Sequence, residues 1–276
     1  MAKPSIAYLG PEGTFSHLVA RKRFGATARL VPVAGIYEIF EHVKKGRGNL
    51  GVVPIENSTG GSIVETIDCL VANRGRVYLR EELSLNVKLA LLGHRGKKIR
   101  HLYSHFAPLQ HCGAWIRQNL PGVEKHEAAS TAKAAEIAAG DPSSAALGTR
   151  AAAARYGLSV LKFPVHSTVP NVTELAVIGT RGDYPLRARK TSLVVTLENR
   201  PGSLFDFLEA FKKARVNLTR LISRPIVGQP KSYLFVVDLQ GAPRDKLVRQ
   251  ALADAGKAAS SLTTLGVFPV RKMYAS

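Results

Sequence analysis

Hydrophobic and polar residues repeat with two different periods along the chain, and each switch between them marks an element. Residues 5–10 are a short apolar run ended by Gly10-Pro11-Glu12-Gly13, the pattern of a strand entering a turn. Thr14 or Ser16 is placed to cap a helix through Phe24, whose polar side carries Arg21, Lys22 and Arg23. Ile36, Phe40 and Val43 stand at helical spacing within 35–45. Residues 50–55 read as a buried strand that delivers Glu56-Asn57-Ser58 at its end. From about Val77 strand-like runs (83–92, 102–103, 175–179) alternate with helix-like ones (109–119, 131–139, 149–156). The alanine-rich stretch 145–154 reads as helix broken by Gly148. Such alternation predicts α/β layers. Residues 180–190, interrupted by Gly182 and Pro185, read as a linker. Beyond it a strand (191–197), a helix (204–214), two strands (216–222, 232–239), a helix (245–255) and a strand (262–269) give β-α-β-β-α-β, the ferredoxin-like order.

Composition narrows the function classes. In 276 residues, 39 Lys and Arg against 20 Asp and Glu leave a net charge of +19, which invites an anionic partner. The charge is spread over both halves without forming a tail and without interleaved aromatics, which argues against nucleic acid. Two cysteines, Cys69 and Cys112, exclude a disulfide-dense scaffold and a Cys-rich zinc module. No apolar run approaches the roughly 20 residues that span a bilayer, and no secretory leader pattern opens the chain. The expectation is a soluble, cytoplasmic protein with no membrane partner.

Several segments have the residue types of a site. Gly10 to Ser16 is a glycine-rich strand-to-helix turn that can turn backbone N–H groups toward an anion, or is simply a capped turn. Asn57 and Ser58 sit where open α/β sheets bind ligands, and equally where a helix is capped. Tyr103-Ser104-His105 follows a strand. His111 and Cys112 lie beyond it, but adjacent helical positions do not face each other, which disfavours a cysteine nucleophile. Thr173 and Glu174 bring a hydroxyl and a carboxylate to the entry of a strand. Metal-ligand spacing, a Walker loop and a full dinucleotide fingerprint are all missing.

Taken in order, Gly10-Pro11-Glu12-Gly13-Thr14-Phe15-Ser16, Val53-Pro54-Ile55-Glu56-Asn57-Ser58, Tyr103-Ser104-His105 and Ala129-Ser130-Thr131-Ala132-Lys133 resemble prephenate dehydratase. So do 145–149 with Tyr156-Gly157-Leu158, and the strand ending Val177-Ile178-Gly179. Glu198-Asn199-Arg200-Pro201-Gly202-Ser203-Leu204, Asn217-Leu218-Thr219 and Ser223-Arg224-Pro225 resemble the ACT domain of that family. The resemblance implies a two-lobed α/β catalytic region over 1–187, similar to periplasmic binding proteins, followed by a ferredoxin-like ACT domain over 188–276. Lobe 1 would take about 1–76 plus 168–187, and lobe 2 about 77–167. It implies decarboxylative dehydration of prephenate without metal or organic cofactor, and phenylalanine feedback in a homodimer or homotetramer.

Carried over by residue, the resemblance makes Thr173 the group that assists the departing hydroxyl. Asn57 and Ser104 would position substrate and Glu56 would shape the cleft. Thr14, Phe15, Ser16, Ser58, His111, Ser130 and Thr131 would bind substrate, the carboxylates falling to backbone groups at 14–16 and 130–131. Pro201, Gly202, Ser203, Leu204, Asn217, Ser223, Arg224 and Pro225 would hold the effector. The chain departs from the family at Glu174-Leu175, usually Arg-Phe, at Phe106-Ala107, usually Pro-Gln, and at His111, usually Gln. It departs again at Gly60 and Ala129, where Glu and Ser are common, and at Ile222, usually Glu. A carboxylate at 174 facing the cleft would repel a dicarboxylate. A non-aromatising decarboxylase, an enzyme for another cyclohexadienyl acid and an inactive amino-acid sensor are the alternatives that follow.

Overall fold

The computed structural model describes residues 3–46, 48–165, 169–181 and 185–276. The first sheet is built from β1 (Ser5–Leu9), β2 (Arg29–Val33), β3 (Leu50–Asn57), β4 (Gly61–Ser62) and β5 (Tyr78–Asn86), with α1 (Phe15–Phe24), α2 (Ile36–Lys44) and α3 (Val64–Ala72) between them. The chain then crosses into a second sheet of β6 (Ala90–Gly93), β7 (His101–Ser104), β8 (Glu124–Glu127), β9 (Ser144–Gly148) and β10 (Ser159–Lys162). Its helices are α4 (Phe106–His111), α5 (Gly113–Asn119), α6 (Thr131–Ala139) and α7 (Arg150–Tyr156). β11 (Val172–Gly179) returns to the first sheet between β5 and β3. A third sheet holds β12 (Lys190–Thr196), β13 (Leu218–Pro225), β14 (Tyr233–Gln240) and β15 (Ser261–Phe268), backed by α8 (Ser203–Lys213) and α9 (Lys246–Ala258). Last comes β16 (Tyr274–Ala275). The strand orders are β16-β5-β11-β3-β1-β2 with β4 beside β3, then β10-β6-β9-β7-β8, then β13-β14-β12-β15.

The elements follow the apolar pattern except where packing overrides it. α2 buries Ile36, Ile39, Phe40 and Val43 on one face, as its spacing predicts. Residues 145–148, read as helix within 145–154, belong instead to β9. Every residue of β9 is buried, with Ala146 facing α6 and Ala145 and Leu147 packing on the opposite side. A central strand covered on both faces reads as a continuous apolar run, and small side chains admit helices closely, so alanine here signals burial rather than helix. The run 83–92 splits into β5 and β6 of different sheets, so 77–86 belongs to lobe 1 and not lobe 2. The helix expected over 109–119 is two helices meeting at Cys112. Of the expected linker, 182–184 lies outside the described residues, and Ala188 N–H closes a turn on the Pro185 carbonyl (2.9 Å).

The third sheet has α8 and α9 on one face and lobe 1 on the other. Val194, Val236, Leu265 and Phe268 share one apolar cluster with Ile67, Leu70 and Leu79 of lobe 1. The approach is close: a Cβ on Gly266 would lie 2.3 Å from the Leu79 carbonyl oxygen. The C-terminus also returns, since Tyr274 and Ala275 pair with Leu85 and Asn86 of β5. Among the described residues no helix is long and apolar enough to cross a membrane.

Candidate active site

A β-bulge aims the central pair of side chains. β3 and β11 run antiparallel, with Leu175 opposite Pro54 but Glu174 opposite Glu56 and Thr173 opposite Asn57, so Ile55 is the extra residue. Before the bulge, Val53 and Ile55 bury toward α2 and the third sheet while Val52 buries toward α1. Past it the alternation is reset. Asn57 now shares a face with Thr173, and Glu56 shares the opposite face with Glu174.

Asn57 is saturated. Its Nδ2 donates to Thr173 Oγ1 (2.9 Å) and to Asn171 Oδ1 (2.7 Å), and its Oδ1 accepts from Thr59 N–H (3.0 Å), Thr59 Oγ1 (2.6 Å) and Gly60 N–H (3.0 Å). The Thr173 oxygen therefore already accepts a bond, and no described residue takes its proton. The arrangement presents Thr173 as a donor. Both polar groups of the Asn57 amide are thus taken by bonds within the chain.

The face that carries Thr173 is also the face covered by α1. Thr14 caps α1, accepting from His17 N–H (3.2 Å) and donating to the Leu9 carbonyl (2.9 Å), so its hydroxyl is spent. The N–H groups of Phe15 and Ser16 lie in the first turn, where no intrahelical carbonyl reaches them. Ser130 caps α6 in the same way, accepting from Lys133 N–H (3.0 Å), with Thr131 buried behind it. Gly13 (φ +93°) brings the two lobes together: a Cβ there would touch Ala132 of α6 and Ala152 of α7 at 3.8 and 3.7 Å. Thr149, the cap of α7, donates to the Gly13 carbonyl (2.8 Å), and Arg155 pairs with Glu12 across the same seam (2.5 Å). Tyr8 stacks on His17 with its hydroxyl buried and unpartnered, and burial, with Glu12 nearby, pushes that phenol up to about 12.

Other predicted site residues are placed differently. Glu56 does not line the cleft: its carboxylate takes Nε–H of Arg220 from β13 (3.0 Å), because the bulge turns it to the third sheet. Glu174 takes Nη2–H of the same Arg220 (2.5 Å), so its carboxylate faces the third sheet and not the face that carries Thr173. Ser104 is fully buried and gives its proton to the Leu147 carbonyl (2.8 Å), which ties β7 to β9 rather than reaching a ligand. Ser58 bonds the Pro170 carbonyl and Val172 N–H (3.1 and 2.9 Å), closing the loop beside Asn57. His111 ends α4, and burial holds its pKa and that of His105 below the ordinary histidine value. Burial pushes the Cys112 thiol up to about 11, far from a thiolate.

The predicted effector residues fall in two places. Ser203, Leu204, Arg224 and Pro225 line a groove of about 940 Å³ that reaches Asp68 and Arg74 of lobe 1. Gly202 precedes α8 at φ 86°, with Pro201 in the preceding turn, and Ser223 lies in β13. Asn217 stands at the other end of β13, in a separate hollow with Gln240 and Lys246.

Sequence reading missed Asn171, the Thr149 cross-lobe bond and Arg220, none of which carries a local pattern. It also expected no metal-ligand set, yet the parallel pairing of β7 and β8 gathers His101, Glu124 and His126.

The prephenate dehydratase family model matches residues 6–183, and the ACT domain model residues 191–257. A bifunctional chorismate mutase/prephenate dehydratase of Stutzerimonas stutzeri is 36% identical over 266 residues, covering 96% of this chain and 73% of its own. The crystal structure of prephenate dehydratase in complex with L-Phe from Arthrobacter aurescens matches with TM-score 0.88 at 28% identity, over 96% of this chain and 90% of that one. A chain described as GqqA, a novel type of quorum quenching acylase, matches with TM-score 0.86 at 25% identity, over 97% and 98%. Because proteins with different described activities share this fold, the activity has to be argued from the site.

Proposed function

We propose that this chain, which belongs to the prephenate dehydratase family, converts prephenate to phenylpyruvate, carbon dioxide and hydroxide. The single observation that carries the reading is the Thr173 hydroxyl, held as a donor by Asn57 on the face that α1 covers. As the carboxylate leaves as carbon dioxide, its bonding electrons enter the ring and expel the hydroxyl group, leaving an aromatic ring. Charge grows on the departing oxygen, so a hydrogen bond from Thr173 strengthens as the reaction proceeds. The first turns of α1 and α6 supply N–H groups for the two carboxylates of the substrate.

An acylase of the serine or cysteine kind needs a nucleophile activated by a base. Ser104 is bonded to a carbonyl and the Cys112 thiol is buried, so the site does not favour that reading. Phenylalanine as effector fits the groove at Ser203 and Arg224. Asn217 lies too far along β13 to join them within one chain, whereas a second copy paired along the edge strand β13 would bring its own, which favours a homodimer or a higher homo-oligomer. Two free cysteines fit a reducing, cytoplasmic setting. Incubation with prephenate and identification of the product is the test: phenylpyruvate is expected. Unreacted prephenate or a non-aromatic decarboxylated acid would overturn the reading.

A further inference from the structure

Arg220 reaches from the ACT domain into lobe 1. Its side chain is 6% exposed and bonds three carboxylates: Asp238 of the neighbouring β14, Glu56 of β3 and Glu174 of β11. Glu56 and Glu174 stand directly opposite each other across the bulged pair, an arrangement that repels unless a cation is shared. Each is one residue from a member of the Asn57–Thr173 pair, on the other face of the same two strands.

We infer that Arg220 is a positioning residue for the reaction, clamping Glu56 and Glu174 so that the bulge keeps Asn57 Nδ2 on Thr173 Oγ1. The guanidinium fork suits this, since it meets two acceptors at fixed angles and a lysine does not. The inference rests on the proposed dehydration for its kinetic readout, but the strand geometry can be read without it. Arg220→Gln leaves two facing carboxylates with no cation. It is expected to lower kcat about tenfold or more with KM little changed, and to speed amide exchange at Ser58 and Val172, where β3 and β11 join. Adding Glu56→Gln and Glu174→Gln removes the repulsion and is expected to restore most of both, while Arg220→Lys restores only part. Should Arg220→Gln fail to fold, Arg220→Lys carries the same two readouts. Parental kcat and exchange in Arg220→Lys and Arg220→Gln would overturn the inference, as would a kcat loss that neutralising the two glutamates leaves untouched. A parent inactive on prephenate whose exchange still responds to Arg220 would sink the proposed reaction and keep the positioning role.

A second, independent observation lies at the opposite end of β7 from Ser104. His101 Nδ1 is 3.2 Å from His126 Nε2 and 3.2 Å from a Glu124 oxygen, and His126 Nε2 is 3.7 Å from the other Glu124 oxygen. Donors bound tetrahedrally at about 2.0–2.1 Å stand roughly 3.3 Å apart; the two imidazole nitrogens stand at 3.2 Å and Glu124 reaches each of them with a different oxygen, so a turn of that carboxylate would complete a three-donor set. The backbone register fixes His101 opposite Glu124 and Tyr103 opposite His126, and Tyr103 stacks on the His126 ring at 4.7 Å. We propose that this edge binds a divalent zinc-like cation through two imidazoles and a carboxylate, with the remaining position open to water. Titration with Zn²⁺ against a chromophoric chelator is expected to show one equivalent bound to the parent and at least tenfold weaker binding in His101→Asn and in His126→Asn. No binding, or equal binding in these variants, would show that the histidines merely share a proton.

Discussion

The two faces of the β3–β11 pair differ in chemistry within a single residue step. One carries neutral hydrogen-bonding groups, Asn57 and Thr173, with α1 beside them. The other carries two carboxylates gathered on a buried guanidinium from another domain. The lesson is that strand alternation, reset by one extra residue, keeps the charge that docks the third sheet away from the face that carries Thr173. It also recasts the departure at Glu174. The acid there faces Arg220 on the docking side of the strand pair.

The two boundaries of lobe 1 differ in the same sense. Toward lobe 2 the seam is narrow: the Thr149–Gly13 bond, the Arg155–Glu12 pair, Phe15 of α1 packed on the lobe 2 core, and Gly13 against Ala132 and Ala152. Toward the ACT domain an apolar cluster is continuous, and Arg220, the Arg224–Asp68 pair and the buried Lys190–Glu82 pair (2.6 Å) add to it. Lobe 1 and the ACT domain are therefore built to move together, and the lobe–lobe seam to yield.

The comparison can be broken at several points. The largest effect is expected from Thr173→Ala on the neutral face, which should cut turnover by about 10²–10³-fold with KM moved far less; steady-state kinetics on prephenate would show it. Gly266→Val attacks the docking face, because its side chain meets the Leu79 backbone. A loss of about 3 kcal/mol in urea unfolding is expected. Glu174→Arg restores the family's residue but sets a second guanidinium against Arg220. It should cost about 1–2 kcal/mol, discounted for the partial exposure of Glu174, and bring no gain in substrate affinity.

A smaller effect comes from acid. Burial pushes the Glu81 carboxyl up, but bonds from Arg23 and Arg271 outweigh it and hold the group below the ordinary 4.5. A lowered folded-state value contributes stability that is complete above the unfolded value and is lost as pH falls through the folded one. Thermal melts should therefore fall as pH drops below about 4.5, and Glu81→Gln should flatten that decline. Least is expected of Arg224→Ala, whose partly exposed pair with Asp68 is worth at most about 1 kcal/mol by the same unfolding assay.

Much of this was legible in the residues. Period and turn chemistry placed β1, α1, α2, α6 and all six elements of the ACT-like domain to within a few residues. Alanine misleads at 145–148, because burial on both sheet faces outranks helix propensity. Thr173 and Asn57 could be named from the resemblance, but not the direction of Glu56 and Glu174, since a bulge is a property of two strands paired at a distance. Arg220 lies 164 residues from Glu56 and 46 from Glu174, and no local pattern encodes that meeting. The return of the C-terminus to β5 was hidden for the same reason.

The central claim is that the face bearing Thr173 does chemistry while the face bearing Glu174 does docking. Thr173→Val and Glu174→Gln, compared side by side for kcat, KM and urea unfolding, test it most directly. The expected result is that Thr173→Val loses turnover by about 10²-fold or more with its unfolding midpoint lowered only by the lost Asn57 bond, while Glu174→Gln lowers the midpoint and leaves KM for prephenate where it was. A Glu174→Gln protein that binds prephenate much more tightly, or a Thr173→Val protein with full turnover, would contradict it.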